Sequence, residues 1–498
     1  MRLERQPGQR LDGLLRPLKS RRWSPRISAT LAGVVGACLA AASACGGQTA
    51  ADGGAGDAAG AADDGADAGW SETGSEGDDG SGPSGDATAE GDGAPNALDA
   101  GSDVVEGADA PNDAAQDASG WEQTASDGGA LSEYDTDGVA FDGRYMYFAN
   151  PPVVRFDTTS PFGSDASWSR FDVQGQLDPN FSPAGALFDG RYVYLVGRFS
   201  SSDRGIVVRF DTTMPFGSAA SWQKFDVTTV NGADAGFCGA VFDGKYVYLV
   251  PYQNANGVSG RTVRYDVSSP FTATTSWSDF DLTTVQPRAA GYCGGIFDGR
   301  YIYYVPKLAA GDAGLAANGL VARYDTTQPF AAAASWAAFD LTSVDPRAAF
   351  FQSGAFDGRY VYFVPTSEAD APYGRTIARL DTQAAFSDPG SWSTFTVGGL
   401  TSGAGFGGAA FDGRRLFFPA WNPAPAQDGP VVIFDTTAPF ATAASWSAVD
   451  TAAMGLGGNL GTPGFDGRYI YFSAPQVVRF DTQRQPPGLP AGYSGSFF

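Results

Sequence analysis

From about residue 139 onward the chain alternates apolar and polar positions in short runs, and turn residues break each run. The stretch Gly-Ala-Val-Phe-Asp-Gly-Lys-Tyr-Val-Tyr-Leu-Val at 239–250 reads as strand, turn, strand. Asp-Gly between two apolar runs predicts a two-residue type I′ hairpin, which needs positive φ at both central residues. A third strand is predicted where Val-x-Arg-Phe/Tyr-Asp recurs, and a fourth at Ser-Trp-x-x-Phe-Asp. Between them lies Thr-Thr-x-Pro-Phe, whose Thr and Pro suit one helical turn. No 3.6-residue periodicity survives these Gly and Pro positions, which excludes a helical solenoid.

The four-strand unit repeats seven times. Phe-Asp-Gly places its Phe at Phe141, Phe188, Phe242, Phe297, Phe356, Phe411 and Phe465, spaced 47 to 59 residues apart. The sixth unit departs, with Arg415-Leu416-Phe417 after the turn and Ile433 where the third strand carries Arg elsewhere. The fourth-strand Trp stands at Trp168, Trp222, Trp277, Trp336, Trp392 and Trp446, each 19 or 20 residues before the next Phe-Asp-Gly. The seventh unit ends after Arg479-Phe480-Asp481 without its Trp, and Trp121 stands 20 residues before Phe141. The fold class is therefore all-β: a seven-bladed β-propeller of four-stranded blades, closed by an N-terminal strand that completes the last blade. Closure removes the open sheet edges.

These motifs resemble the Phe-Asp-Gly-Arg-Tyr-Val-Tyr propeller repeats of myxobacterial-type surface lipoproteins, over signal, linker and all seven blades. Repeat length is kelch-like, and Gly294-Gly295 and Gly407-Gly408 resemble the kelch double glycine, without the kelch Tyr and Trp after it. The resemblance implies a propeller outside the cytoplasm and no established activity.

The N-terminal quarter differs in kind. Residues 1–26 carry eight basic groups, and an Ala/Leu/Val/Gly run follows to Ala44, which describes an export signal over 1–44. Ala42-Ser43-Ala44-Cys45 resembles a bacterial lipobox, with lipidation at Cys45 and a membrane anchor as the expectation; an ordinary cut after Ala44 is the alternative. Residues 45–118 form an acidic Gly/Ala/Asp-rich linker whose 18 carboxylates face no Lys or Arg, which predicts a disordered, extended tether. The propeller spans 119–483 and a loose tail 484–498. The expected location is the outer membrane or cell surface, with a secreted or periplasmic soluble protein as the alternative.

Composition narrows the chemistry. The chain of 498 residues has no histidine and a formal charge of −23, with about −11 of it in the propeller. That excludes histidine-based triads, general bases and metal ligands, and makes nucleic acid an unsuitable partner. No cofactor, metal site or catalytic residue is assigned, and a monomer is expected.

Function is sought where the repeats differ. Strand C to the following Trp is a constant 13 residues, whereas strand A to strand C varies from 14 to 26, so the length variation sits in the B–C loops. In an up-and-down blade these loops share one face with the D–A loops, and the A–B and C–D turns form the other. Blades 1 and 7 have the shortest B–C loops, which predicts a notch at the seam. Variable loops on a rigid scaffold are the usual place for binding. The expected contact residues there are Phe237, Tyr252, Arg288, Tyr292, Arg347, Phe350, Phe351, Tyr373, Phe406 and Trp421, with Phe181 nearby. Aromatics with a few arginines suit a glycan or protein ligand; the competing reading is that they pack their own loops. The expected function is a surface-anchored binding or scaffold module. The alternative is a glycan hydrolase or lyase using Asp, Tyr and Arg, for which Asp178, Asp203, Asp234, Asp345 and Asp370 are the non-repeat acids. A disulfide is expected between Cys238 and Cys293, at matching places in blades 3 and 4.

Overall fold

The computed structural model describes residues 120–484, apart from 125–128, 130, 132–137, 199–203, 312–313, 367–373, 401–404, 422–428 and 457–459. The expected signal, Cys45, the linker and the tail from 485 lie outside the described residues.

Seven antiparallel four-stranded sheets follow one another, each in the order A-B-C-D. Blade 3 shows the plan: Phe237–Phe242, Tyr246–Pro251, Arg261–Asp266 and Trp277–Asp281. Blade 6 departs slightly, because its first strand is split into Gly405–Phe406 and Ala410–Phe411. Blade 7 takes Pro463–Phe465, Tyr469–Phe472 and Val478–Asp481 from the C-terminal end of the chain. Its outer strand is Trp121–Gln123, with Trp121 opposite Phe480 and Glu122 opposite Arg479. Trp121 packs on the rings of Phe480 and Phe472, at 4.8 and 5.5 Å, and the Arg479 guanidinium donates twice to Glu122 Oε2. This all-β seven-bladed propeller is closed by its N-terminal strand.

The A–B turns differ from the type I′ expectation. Three residues, Asp-Gly-Arg in blade 1, separate the strands, and only the glycine has positive φ, as at Gly143 (96°). The aspartate makes this turn by its side chain. Asp142 Oδ1 accepts from the backbone N–H groups of Arg144 (2.8 Å) and Tyr145 (2.6 Å), while Oδ2 accepts from the Tyr147 hydroxyl (2.7 Å). Burial and the adjacent Asp142 push the Tyr147 phenol well above its usual range. The turn arginine then reaches strand C, where Arg144 pairs with Asp157 at 2.7 Å. Among the described residues this turn ion pair lies within the blade, in six blades of the seven.

Between blades the contact is aromatic and cationic. The strand-C Arg155 lies over Tyr145 of its own blade and Phe216 of the next, 4.1 and 4.2 Å from the ring centroids. Arg209, Arg264, Arg323, Arg379 and Arg479 repeat the arrangement. Each shielded cation–π contact contributes roughly 1–2 kcal/mol. Alongside, the strand-D Phe of one blade stacks on the Trp of the next, as Phe171 does on Trp222 at 4.3 Å and 6°. The Trp indole N–H donates to the backbone carbonyl of the preceding Pro-Phe, as Trp168 does to Phe162 at 3.1 Å.

The seam explains the sixth unit. Blade 7 has no C–D segment, so no Phe could cover a strand-C arginine of blade 6. Ile433 fills that position, and the guanidinium comes instead from Arg415 on strand B. It is buried against Asp412, and its Nη2 donates to the Thr482 carbonyl at 2.7 Å. A charge moves to where a partner exists.

At the axis the strands crowd. Three residues before each strand-A Phe stand Gly138, Gly185, Gly239, Gly294, Ser353, Gly408 and Thr462. A Cβ on Gly185 would come within 2.6 Å of Gly239 Cα, and Gly239 and Gly294 themselves hold φ of +90° and +83°. Only a residue without a side chain fits such an approach. The axial cavity left open holds about 150 Å³. Cys238 and Cys293 line it and are disulfide-bonded, with Cα atoms 4.7 Å apart.

Trp121→Ala is expected to destabilise the whole ring by about 3–5 kcal/mol, the usual cost of a truncated core aromatic. Urea unfolding of the full chain reads it. A loss under about 1 kcal/mol would contradict closure by this strand.

Candidate binding face

Strand B ends on the face where the B–C and D–A loops meet. In blades 3 and 4 the B–C segments rise as small hairpins, Gln253–Asn254 with Gly257–Val258 and Leu308–Gly311 with Gly314–Ala317. The opposite face carries the repeated Asp-Gly-Arg turns, held by the same ion pair in blade after blade.

The expected contact residues separate into three groups. Phe237, Tyr292, Phe351 and Phe406 are corrected from contact residues to core: all are fully buried. Each lies five residues before its strand-A Phe, and Leu460 holds the same place in blade 7. Beyond a β-bulge in blades 3 to 5, and a break in blade 6, strand A turns that side chain into the space between blades, where apolar surface leaves water. Phe181 is buried likewise, and so is Phe350. Arg288 and Arg347 make up the second group. Arg288 pairs at 2.8 Å with Asp340, at the end of strand D of blade 4, and Arg347 at 2.9 Å with Asp345 of its own loop, so each holds a D–A loop in place. Tyr252 and Trp421 form the third, half-buried at the ends of their strands B; Tyr373 lies outside the described residues.

The non-repeat acids are loop anchors. Asp178 is buried and takes a two-pronged hydrogen bond from Arg204, both at 2.7 Å, with Lys224 at 3.2 Å. Asp345 accepts from Arg347 and from Thr394. Asp234 faces Arg261, which also holds Asp279 and Asp281. Each thus ties a D–A loop to the outer strands of the blade it enters. Arginine pairing holds Asp345 below the usual carboxylate range, and the Arg204 and Lys224 contacts lower Asp178 despite its burial. Asp234 behaves in the opposite sense: burial, with the nearby Asp279 charge, pushes it up to about 7 against the pull of Arg261. Asp203 and Asp370 lie outside the described residues. Among the described residues no group of three Cys, Asp or Glu is placed to hold a metal ion.

Sequence reasoning missed Lys307. It follows strand B of blade 4, Tyr301–Pro306, and its Nζ donates to Gln352 Oε1 at 3.0 Å, at the rim of the axial cavity. The same ammonium stands 5.4 Å from the Tyr252 ring and 6.0 Å from the Phe350 ring. It therefore gathers Tyr252 and Phe350, two of the expected residues, at one place. Phe350 holds φ of +67°, the only positive value outside glycine among the described residues. Blades 3 and 4 have Gly236 and Gly291 at that place, both at +73°. A bulky residue in this conformation stores on the order of 1–3 kcal/mol of strain.

No family model matches the chain, and no curated protein matches it. Among solved structures it is similar to virginiamycin B lyase from Staphylococcus aureus, with a TM-score of 0.46 and 12% identity over 72% of this chain and 98% of that one. Kuenenia stuttgartiensis hydrazine synthase gives the same values. The tricorn protease follows, with a TM-score of 0.40 and 11% identity over 73% of this chain and 34% of that one. None of these likenesses bears on activity.

Asp234 sets a pH dependence. Its folded-state pKa lies above the unfolded value near 4, so its contribution to stability is complete below about pH 4 and is lost as pH rises towards 7. Asp234→Asn is expected to remove that loss, so that its stability relative to wild type rises between pH 4.5 and 7 by on the order of 1–4 kcal/mol. Denaturant unfolding across that range measures it, and a difference independent of pH would contradict the assignment.

Proposed function

We propose that the chain is an exported, lipid-anchored β-propeller that acts as a binding or scaffold module, taking a glycan or protein ligand on its B–C and D–A loop face. One observation carries this reading: loop length varies on that face alone, while the other face repeats one hydrogen-bonded turn seven times. A rigid ring that diversifies a single rim is the arrangement in which binding evolves without disturbing the fold. The Cys238–Cys293 bond supports an oxidising compartment, and the basic and apolar N-terminus supports export. No observation favours the glycan-cleaving alternative: Asp178, Asp234 and Asp345 are each engaged by an arginine.

Two experiments test it. A glycan and peptidoglycan panel is applied to the full chain, then to a variant with 253–258 replaced by a two-residue Asn-Gly turn, and to Arg191→Ala on the opposite face. Binding is expected to fall about tenfold or more in the first variant and to persist in the second. Loss confined to Arg191→Ala would place the ligand on the wrong face and overturn the reading. For location, Cys45→Ala is expected to move the protein from the membrane fraction to the soluble extracytoplasmic fraction. A wild-type protein already soluble after processing would replace lipidation with ordinary cleavage after Ala44.

A further inference from the structure

The last position of the diversified rim can be followed blade by blade. Six residues after the first residue of each strand-B motif stand Pro151, Arg198, Tyr252, Lys307, Thr366, Trp421 and Pro475. Nearby positions in the same repeats hold one residue type almost throughout, such as the Asp-Gly of the turn or the Trp of strand D. Here the types differ in every blade from 2 to 6. The two prolines fall in blades 1 and 7, the pair with the shortest B–C loops. What remains is an arc of two cations, two aromatics and a hydroxyl around the top of the axis.

The structure brings two of these side chains, Tyr252 and Lys307, to one place. Lys307 reaches across the blade boundary to Gln352 Oε1 and sits beside the rings of Tyr252 and Phe350, within 6.0 Å of both centroids. Arg198 bridges to Phe237 of the neighbouring blade, which fixes its backbone at the same rim. The strained Phe350 backbone is part of the arrangement, because its carbonyl accepts from the Thr366 N–H at 2.9 Å. Strain of this kind persists where the surroundings impose it and collects at ligand clamps. Beneath the arc the cavity is only about 150 Å³ and lined largely by glycine and small residues, so a ligand of any size stays at the rim.

From this arrangement we infer that Tyr252 and Lys307 bind an acidic saccharide at this rim, with the aromatic face carrying a sugar ring and the ammonium taking its carboxylate. A neutral sugar would use the aromatic face and leave the ammonium without a role. A free small anion would use the ammonium and leave the ring idle. A uronic acid unit uses both, since its carboxylate is rigidly attached to a ring whose C–H face is apolar. This inference rests on the binding role proposed above and adds the ligand class.

Isothermal titration of the full chain with an oligogalacturonate trisaccharide, its neutral galactose counterpart and an acidic glutamate peptide separates the cases. The uronate is expected to bind at least about tenfold tighter than the neutral sugar, and tighter than the peptide. Lys307→Ala and Tyr252→Ala should each weaken it about tenfold or more, while Lys307→Arg should stay within about threefold. Unchanged melting temperatures in these variants exclude misfolding as the cause; Lys307→Gln serves if Lys307→Ala melts early. Equal affinity for the neutral sugar, tighter binding of the peptide, or no uronate binding at millimolar concentration would each overturn the saccharide assignment. Glycan binding that survives Lys307→Ala but is lost on replacing 253–258 would overturn this inference and leave the proposed function standing. Loss only on Arg191→Ala would overturn both.

Discussion

The ring depends on one repeated contact, the guanidinium held between the tyrosine of its own blade and the phenylalanine of the next. Sheets packed face to face need only apolar surface, but apolar surface alone does not fix how far one blade turns against its neighbour. A planar cation between two rings does fix it, since the attraction falls off when either ring slides away. Six of the seven boundaries have this clamp, and five add the stacked Phe–Trp pair. The boundary between blades 6 and 7 lacks the stacked pair and has only a looser cation, Arg415 of strand B, 5.3 and 6.0 Å from the rings of Phe417 and Phe480. Beside it Ile433, Val449, Phe417 and Leu460 pack against Phe480 and Trp121 as an apolar core. The substitutions at Arg415 and Ile433 are thus the local answer to a missing C–D segment.

Because the clamps set the blade angle, the inner strands must converge, and convergence decides what the axis can contain. The glycine ring lets backbones touch and leaves almost no channel. Polar chemistry is displaced outward and upward, to the ends of strands B and the loops beyond them. The turn face is committed to holding the blades together, and its arginines and aspartates are consumed in pairs. Variation is tolerated only at the opposite rim, which is where Lys307, Tyr252 and Phe350 meet.

Much of this was legible in the sequence. Phe-Asp-Gly spacing gave the blade count, and the displaced Trp121 gave the closing strand, because both are matters of register. The turn type was misread: an Asp-Gly dipeptide suggests a type I′ hairpin, but the Asp142 carboxylate can cap two N–H groups and a tyrosine hydroxyl, which no dipeptide rule contains. Phe237, Tyr292, Phe351 and Phe406 were read as rim residues because they lie near loops, yet the bulge or break in strand A turns that side chain between blades and buries it. Lys307 escaped notice since a lone lysine has no motif. Its signal was available in the alignment of the repeats with one another, at the place where every other blade carries a different side chain.

Native-state hydrogen exchange of the full chain tests the clamp account most directly, by resolving the opening free energy of each blade boundary. Amides of Trp121–Gln123 and Val478–Asp481 are expected to exchange through the lowest-energy opening, because the boundary with blade 6 lacks the stacked pair and has only the looser Arg415 contact, while blades 2 to 5 open only with global unfolding. Opening that begins at a boundary carrying both the arginine clamp and the Phe–Trp stack, with blade 7 still protected, would contradict it.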